Sequence, residues 1–142
     1  MARSAHQGAG EGARLLRAQD VGVSDMLAAA GYLFVCPENL AAMTGAMKEF
    51  FDVHYYPLLE KIEGRPYATA IAAGSDGSGA TRQIDTIVTG WRLRRIAEPM
   101  IVNFHAQTAE EIMQRKELQV SDAKLCTELG QGFAEGLAMG AL

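Results

Sequence analysis

The sequence predicts an α/β protein, because three observations point to a parallel sheet with helices on both faces. Three successive segments repeat one order: an apolar run, a short loop of small or polar residues, and apolar residues at helical spacing. The apolar runs do not alternate with polar residues, which is typical of strands covered on both sides. The 142 residues are 49% hydrophobic, enough to bury one core. We therefore expect a single α/β domain over residues 1–142.

The first unit begins with the strand Tyr32–Val35 and continues through the loop Cys36–Met43. A helix is predicted from Thr44 to about His54, because apolar side chains recur at i, i+4, i+7 and i+11. The residues that share this spacing, and that we expect in the core, are Met43, Met47, Phe50 and His54.

The second unit begins with the strand Tyr67–Ala73, followed by the glycine-rich loop Gly74–Gly79. A helix follows, because its apolar residues keep i, i+3, i+4, i+7 spacing. These residues are Ile84, Ile87, Val88 and Trp91.

The third unit begins with the strand Pro99–Val102 and the loop NFHAQT, after which Thr108 and Glu111 have the spacing of a capping box. Ser121 is the expected cap of a final helix, Asp122 to about Met139. Glycines recur in that helix at every fourth position, which we interpret as close packing of the helix on the sheet. These glycines are Gly132, Gly136 and Gly140.

The region before the first unit has weaker signals. Ala13–Ala18 is expected to form a short strand, and Ser24 and Asp25 to open a small helix, Asp25–Ala30. The first dozen residues are rich in glycine and alanine and are expected to be weakly helical at most.

Charge and composition exclude several classes of function. The net charge is -4 with a pI near 5.3, and no run of basic residues exceeds Arg94-Arg95, so neither nucleic acid nor an anionic membrane is an expected partner. No stretch approaches the roughly 18 apolar residues of a membrane span. Cys36 and Cys126 lie far apart and predict neither a disulfide framework nor a zinc site. A cytoplasmic protein is therefore expected.

Three strand-to-helix loops should meet at one edge of the sheet, because parallel strands all end there. In the first loop, small residues leave the backbone open to a flat ligand, although an ordinary tight connection has the same composition. In the second, glycines permit positive φ, and the helix that follows offers amides to an anion or a carbonyl; a flexible surface turn is the alternative. The candidate site residues are Pro37, Glu38, Asn39, Leu40, Ala41, Ala42, Met43, Gly74, Ser75, Asp76, Gly77 and Gly79. None is an evident catalytic acid or base.

The segment PENLAAMTGAMKEFFD, Pro37–Asp52, resembles the strand-loop-helix signature of flavodoxin-like, NAD(P)H-dependent FMN reductases. The matching residues are Pro37, Glu38, Gly45, Met47, Lys48, Phe51 and Asp52. The similarity extends from about Leu15 to the C-terminus and includes the glycine-rich loop of the second unit. This signature is fairly specific.

The resemblance implies a doubly wound parallel sheet of order 2-1-3-4-5, with FMN at its carboxyl edge. Pro37–Met43 would line the isoalloxazine ring, and Gly74–Gly79 would flank its other side. The family's first strand and phosphate-binding loop, expected ahead of Ala13, have no counterpart in the sequence. By this resemblance the domain is expected to be incomplete at its N-terminus, to lack strand 1 and to begin within the first helix. Three explanations stay open: the chain is a fragment, its start codon is misplaced, or it has lost the central strand.

The function implied is that of an oxidoreductase in which FMN takes electrons from NAD(P)H and passes them to a quinone, a flavin or another small acceptor. Two alternatives remain open at this point: an electron carrier of flavodoxin type, and a cofactor-free binding module or fragment. A homo-oligomer that covers the open sheet edge is a further possibility.

Overall fold

The computed structural model describes all 142 residues of the chain. Its helices are α1 (Ala2–Ala9), α2 (Val23–Ala28), α3 (Gly45–Leu58), α4 (Ser78–Gly90), α5 (Ala109–Met113) and α6 (Val120–Ala138). Its strands are β1 (Tyr32–Asn39), β2 (Ala42–Met43), β3 (Pro66–Ala73), β4 (Arg94–Arg95) and β5 (Met100–Asn103). The three predicted units are therefore all present, and the structure contains no helix that is long and apolar enough to span a membrane.

The sheet is built around β3. Strand β1 pairs with it in parallel, from Tyr32 opposite Tyr67 to Pro37 opposite Ala72. The short strands β4 and β5 pair in parallel with the start and the end of β3, respectively. Only β2 is antiparallel, and it pairs with the end of β1. The predicted parallel sheet is confirmed.

Helices cover both faces of this sheet, as predicted. Phe34 lies opposite Thr69 of β3, and Met100 lies opposite Ala70, the next residue of β3. Because successive side chains of a strand point to opposite faces, Phe34 and Met100 lie on opposite faces of the sheet. Phe34 packs against Phe51 of α3, with ring centroids 5.4 Å apart. On the other face, the Cys126 thiol of α6 lies 3.7 Å from the Met100 sulfur. The sheet is thus wound on both sides, with α1 packed on α6.

The predicted core positions are buried. The four residues at helical spacing around α3 are each at most 8% exposed. Ile84 and Val88 of α4, and Trp91 directly after it, are at most 1% exposed. Ile87 is partly buried against the same cluster. Helix periodicity was therefore a correct guide to the core.

The N-terminal region differs from the prediction. Ala13–Ala18 does not form a strand: residues 13–17 are irregular and a 3₁₀ turn follows at Ala18–Asp20. A strand needs a neighbouring backbone, and this segment instead passes from α1 to the 3₁₀ turn and α2, which pack on α3. Arg14 is tied to Asp25 of α2 by an ion pair of 2.6 Å. Residues 2–9, expected to be weakly helical at most, form a helix.

The starts of helices α2 and α6 also differ from the prediction. Helix α2 begins at Val23, two residues early, because the Asp25 carboxylate accepts a hydrogen bond from the Gly22 amide. Helix α6 begins at Val120 with Gln119 as its cap, so Ser121 lies inside the first turn.

The predicted glycine row does not make the close contact of α6 with α1, although Gly136 of that row is buried against Leu142. A Cβ on Gly132 would meet nothing within 4 Å, whereas one on Gly130 would lie 1.9 Å from the Ala5 carbonyl of α1. The tight packing therefore joins two helices. The spacing of glycines within α6 does not show that α1 is the helix packed against it.

Candidate functional site

The predicted first loop is a tight β-hairpin. Strand β1 continues through Asn39, well past the expected end at Val35, and the chain returns as β2 from Ala42. Leu40 and Ala41 make the two-residue turn with φ of 50° and 60°. Positive φ at both positions is the geometry of a type I′ turn, which matches the twist of paired strands. Each left-handed non-glycine residue costs about 1–2 kcal/mol, so the turn is strained.

The predicted second loop leads directly into α4, and two of its glycines are required by the geometry. Gly77 has φ of 92°, and a Cβ there would lie 2.6 Å from the Ile101 side chain. A Cβ on Gly79 would lie 2.0 Å from the Ala41 carbonyl oxygen of the hairpin. Gly79 thus allows the hairpin to lie directly against the first turn of α4.

Glu38 joins these two turns. One carboxylate oxygen accepts the Gly77 amide at 2.8 Å, and the other accepts the Ala80 amide at 2.9 Å. The amides of the first turn of α4, which we expected to face a ligand, are in part satisfied by a carboxylate of the protein. A second link forms where the Met43 amide donates to the Gln83 side chain at 2.9 Å. The two predicted turns therefore lie side by side at one rim of the sheet.

The third loop joins the same rim. The Ala106 amide donates to the Gly74 carbonyl at 2.8 Å, and the Asn103 side chain donates to the Ser75 carbonyl at 2.5 Å. The predicted capping box is also present, since Thr108 and Glu111 each accept the other's backbone amide. The clustering of three loops at the carboxyl edge is confirmed.

A cavity of about 530 Å³ opens among these loops. Its volume lies within the range of about 300–1,000 Å³ that is typical of small-molecule sites. The wall is mainly apolar and combines the strand ends, the third loop and the start of α1. The lining residues are Met1, Ala2, Val35, Cys36, Pro37, Glu38, Asn39, Ala72, Ala73, Gly74, Phe104, Ala106, Ile112, Lys116 and Leu118.

The structure separates the predicted site residues into two groups. Pro37, Glu38, Asn39 and Gly74 line the cavity. The others lie outside its wall, in the hairpin and the glycine-rich turn: Leu40, Ala41, Ala42, Met43, Ser75, Asp76, Gly77 and Gly79. Whether any of these residues contacts a cofactor stays a prediction.

The sequence analysis missed the apolar wall supplied by the segment after β5. Phe104, Ile112 and Leu118 come from this segment, together with Lys116, whose ammonium donates to carbonyls at the end of α5. The capping box predicted where α5 begins. The sequence pattern did not show which side chains of this segment face the ends of the strands.

The titratable groups of the cavity wall do not form a nucleophilic or acid-base pair. Burial is the main cause that raises the pKa of the Cys36 thiol, and the Glu38 carboxylate adds to it. A thiol with a raised pKa stays protonated at neutral pH and is a poor nucleophile. The geometry is suited to holding a flat ligand between backbone and apolar side chains.

A second groove of similar volume, about 550 Å³, runs along the outer face of α4. Hydroxyl and charged side chains line it, and Ile101 is its one large aliphatic contact. It lacks the apolar walls that would hold a planar ring, so the cavity among the loops is the stronger candidate.

A doubly wound sheet with an apolar cleft outside the carboxyl ends of its strands defines a flavodoxin-like α/β protein. The sequence model of the NADPH-dependent FMN reductase family matches residues 22–109. The chain belongs to this family. The sequence has no significant match among curated proteins.

Solved structures agree on the fold. The WrbA-like flavodoxin from Agrobacterium tumefaciens superposes with a TM-score of 0.72 at 13% identity, over 96% of this chain and 87% of that one. A flavodoxin from the domain Archaea gives 0.67 at 15% identity, over 96% and 90% of the two chains. An NADPH-quinone reductase from P. pentosaceus gives 0.57 at 15% identity, over 84% and 77%. At these identities the likeness concerns the fold alone.

Proposed function

We propose that the protein is an FMN-dependent oxidoreductase that takes electrons from NAD(P)H and passes them to a quinone, a flavin or another small acceptor. The proposal rests on the family and on one observation above others: the apolar cavity where three loops meet at the carboxyl edge of the sheet. Two buried, free cysteines suit a reducing compartment such as the cytoplasm.

The residues present fit a planar cofactor. Pro37, Ala72 and Phe104 contribute apolar surface to the cavity wall, and Asn39 and Gly74 contribute polar groups to it. The hairpin and the glycine-rich turn would flank the isoalloxazine ring. FMN, when bound, supplies the redox chemistry, while the protein binds it, orients it and limits access of water.

FMN binding tests the proposal directly. We expect the purified chain to quench FMN fluorescence in a saturable way. It should also oxidise NADH or NADPH when FMN and a quinone are supplied. Binding without turnover, and turnover only after a separate reductase is added, would identify an electron carrier instead. No binding of FMN at any accessible protein concentration contradicts the proposal.

A blocking variant locates the site. A Cβ on Gly74 would meet nothing within 4 Å, and Gly74 forms part of the cavity wall. Gly74→Leu should therefore fold normally and lose FMN binding, because its side chain would occupy the ring's space. Gly12→Leu is a matched control, since Gly12 is equally open and lies outside the cavity. Equal FMN affinity in both variants would place the flavin elsewhere.

A further inference from the structure

We propose that Glu38 is a positioning residue that holds the hairpin and the first turn of α4 together as one preformed rim for the cofactor. This inference rests on the proposed function. It assigns Glu38 a role different from the direct contact with the ring that the sequence suggested. Glu38 acts on the ligand through the backbone that it fixes.

The first argument is the use of both carboxylate oxygens. Each accepts one backbone amide of the α4 start, at 2.8 and 2.9 Å from Gly77 and Ala80. The ion pairs of the structure do not include Glu38, so its charge is balanced by these amides and by the positive end of the α4 dipole. Hydrogen bonds to an ionised acceptor are roughly twice as strong as neutral ones.

The second argument is the strain in the turn that Glu38 supports. Leu40 and Ala41 both adopt left-handed φ although neither is glycine. The Leu40 side chain is fully exposed, so its packing does not hold the turn. Such strain persists where surrounding contacts fix the backbone, and it is concentrated at ligand sites. Here those contacts come from α4: the two amides on Glu38, the close approach at Gly79, and the Gln83 side chain.

The third argument is location. Glu38 itself lines the cavity, between Pro37 and Asn39 on one wall. Because its carboxylate also holds the start of α4, a change in the carboxylate alters the support of this part of the cavity wall. A rim that is already in place before the ligand arrives loses less conformational entropy on binding.

Glu38→Gln tests this role. The amide side chain keeps one acceptor oxygen and turns its NH₂ group toward a backbone N–H, so one of the two hydrogen bonds is lost and the other is no longer charge-assisted. We expect the Kd for FMN to rise by about 10-fold or more. The absorbance bands of bound FMN should also shift, because the ring meets a less ordered rim. Amide exchange at Gly77 and Ala80 should accelerate in the cofactor-free protein.

The matched control is Asp25→Asn. The Asp25 carboxylate also accepts a backbone amide, from Gly22, and pairs with Arg14, but it lies on α2 and does not line the cavity. This variant should lower Tm as Glu38→Gln does while leaving the Kd for FMN unchanged. Adding Ala41→Gly to Glu38→Gln should recover part of the affinity, since glycine adopts the left-handed turn without strain.

The outcomes separate the two proposals. If wild-type protein binds FMN and Glu38→Gln binds it with the same Kd and spectrum, the positioning role is wrong and the proposed function stands. If Asp25→Asn weakens FMN binding as much as Glu38→Gln, the effect is one of general stability and the positioning role is again wrong. If wild-type protein binds no FMN, both proposals fail together.

Discussion

Gly79 is the residue on which the contact between hairpin and α4 depends. Its missing side chain leaves room for the Ala41 carbonyl, and the Glu38 carboxylate lies beside it. The neighbouring Ser78 is exposed and its hydroxyl donates to Asp76, so the two residues have different roles within one loop. The composition showed that this loop is rich in glycine. Only the position of the hairpin shows that Gly79 is the glycine required for its contact with α4.

We expect Gly79→Ala to separate the hairpin from α4. Its Cβ would lie 2.0 Å from a backbone oxygen, which cannot rotate away. Overpacking of this kind costs about 1–3 kcal/mol, and FMN affinity should fall with it. Chemical denaturation and an FMN titration measure the two effects. Gly45→Ala, at an open position at the start of α3, should leave FMN affinity unchanged and should not lower stability. Unchanged stability in Gly79→Ala would show that the two turns do not depend on this contact.

Thr69 lies in the middle of β3 and its hydroxyl has no hydrogen-bond partner, although the residue is only 1% exposed. Burial of an unpaired hydroxyl destabilises the folded state. Thr69→Val removes that group and keeps the branched shape, so the free energy of unfolding should rise by about 1 kcal/mol. Thr69→Ser, which keeps the hydroxyl and loses a methyl, should lower it. A loss of stability in the valine variant would reveal a partner for the hydroxyl.

Tyr67 predicts how stability depends on alkaline pH. Burial is the main cause that raises its pKa above the ordinary value near 10, and the Asp85 carboxylate that accepts its hydroxyl adds to it. The folded protein then keeps a proton that the unfolded chain loses, so stability is full below about pH 10 and falls as pH rises further. Tyr67→Phe should make that fall shallower in urea titrations between pH 9 and 11. An identical slope in both proteins would contradict this.

At the scale of secondary structure, α1 and α6 form the closest helix pair. Gly8 of α1 and Gly130 of α6 each leave room for a backbone carbonyl of the other helix, at Thr127 and Ala5. Both helices are amphipathic, but each sequence contains more than one glycine or small residue that could make the contact, and nothing in the local sequence distinguishes them. Helix periodicity predicted where the helices form, because a helix that buries one face has apolar residues at helical spacing. It did not fix which glycines touch, because that depends on a partner distant in sequence.

The two glycines of α6 that differ in environment allow a paired test. Gly130→Ala would place its Cβ 1.9 Å from the Ala5 oxygen and should destabilise the protein by about 1–3 kcal/mol. Gly132→Ala faces open space in the same helix and should stabilise it by about 0.5–1 kcal/mol through helix propensity. Thermal unfolding followed by circular dichroism measures both. Equal effects of the two substitutions would mean that α1 does not pack on α6 as described.

At the scale of the whole molecule, the sheet is asymmetric. Strand β3 has neighbours along both edges, whereas β1 has β3 on one edge and only the short β2, at Glu38 and Asn39, on the other. The resemblance predicted that a strand would be missing beside β1. The strand that we predicted at Ala13–Ala18 from its residues is wrong, because this segment has no neighbouring strand with which to share a hydrogen-bond ladder. The local sequence of Ala13–Ala18 carries no signal for whether a partner strand lies beside it.

Amide hydrogen exchange tests this asymmetry. In a parallel pair, alternate amides of a strand point to opposite edges. Within Tyr32–Pro37, the amides that point away from β3 should therefore exchange much faster than those that point toward it, while the amides of β3 stay protected. NMR detection at low protein concentration resolves the two sets.

Uniform protection along β1 under those conditions would contradict an open edge. Protection of the fast set that grows with protein concentration would identify a second copy paired along this strand, since unpaired apolar edges favour such association.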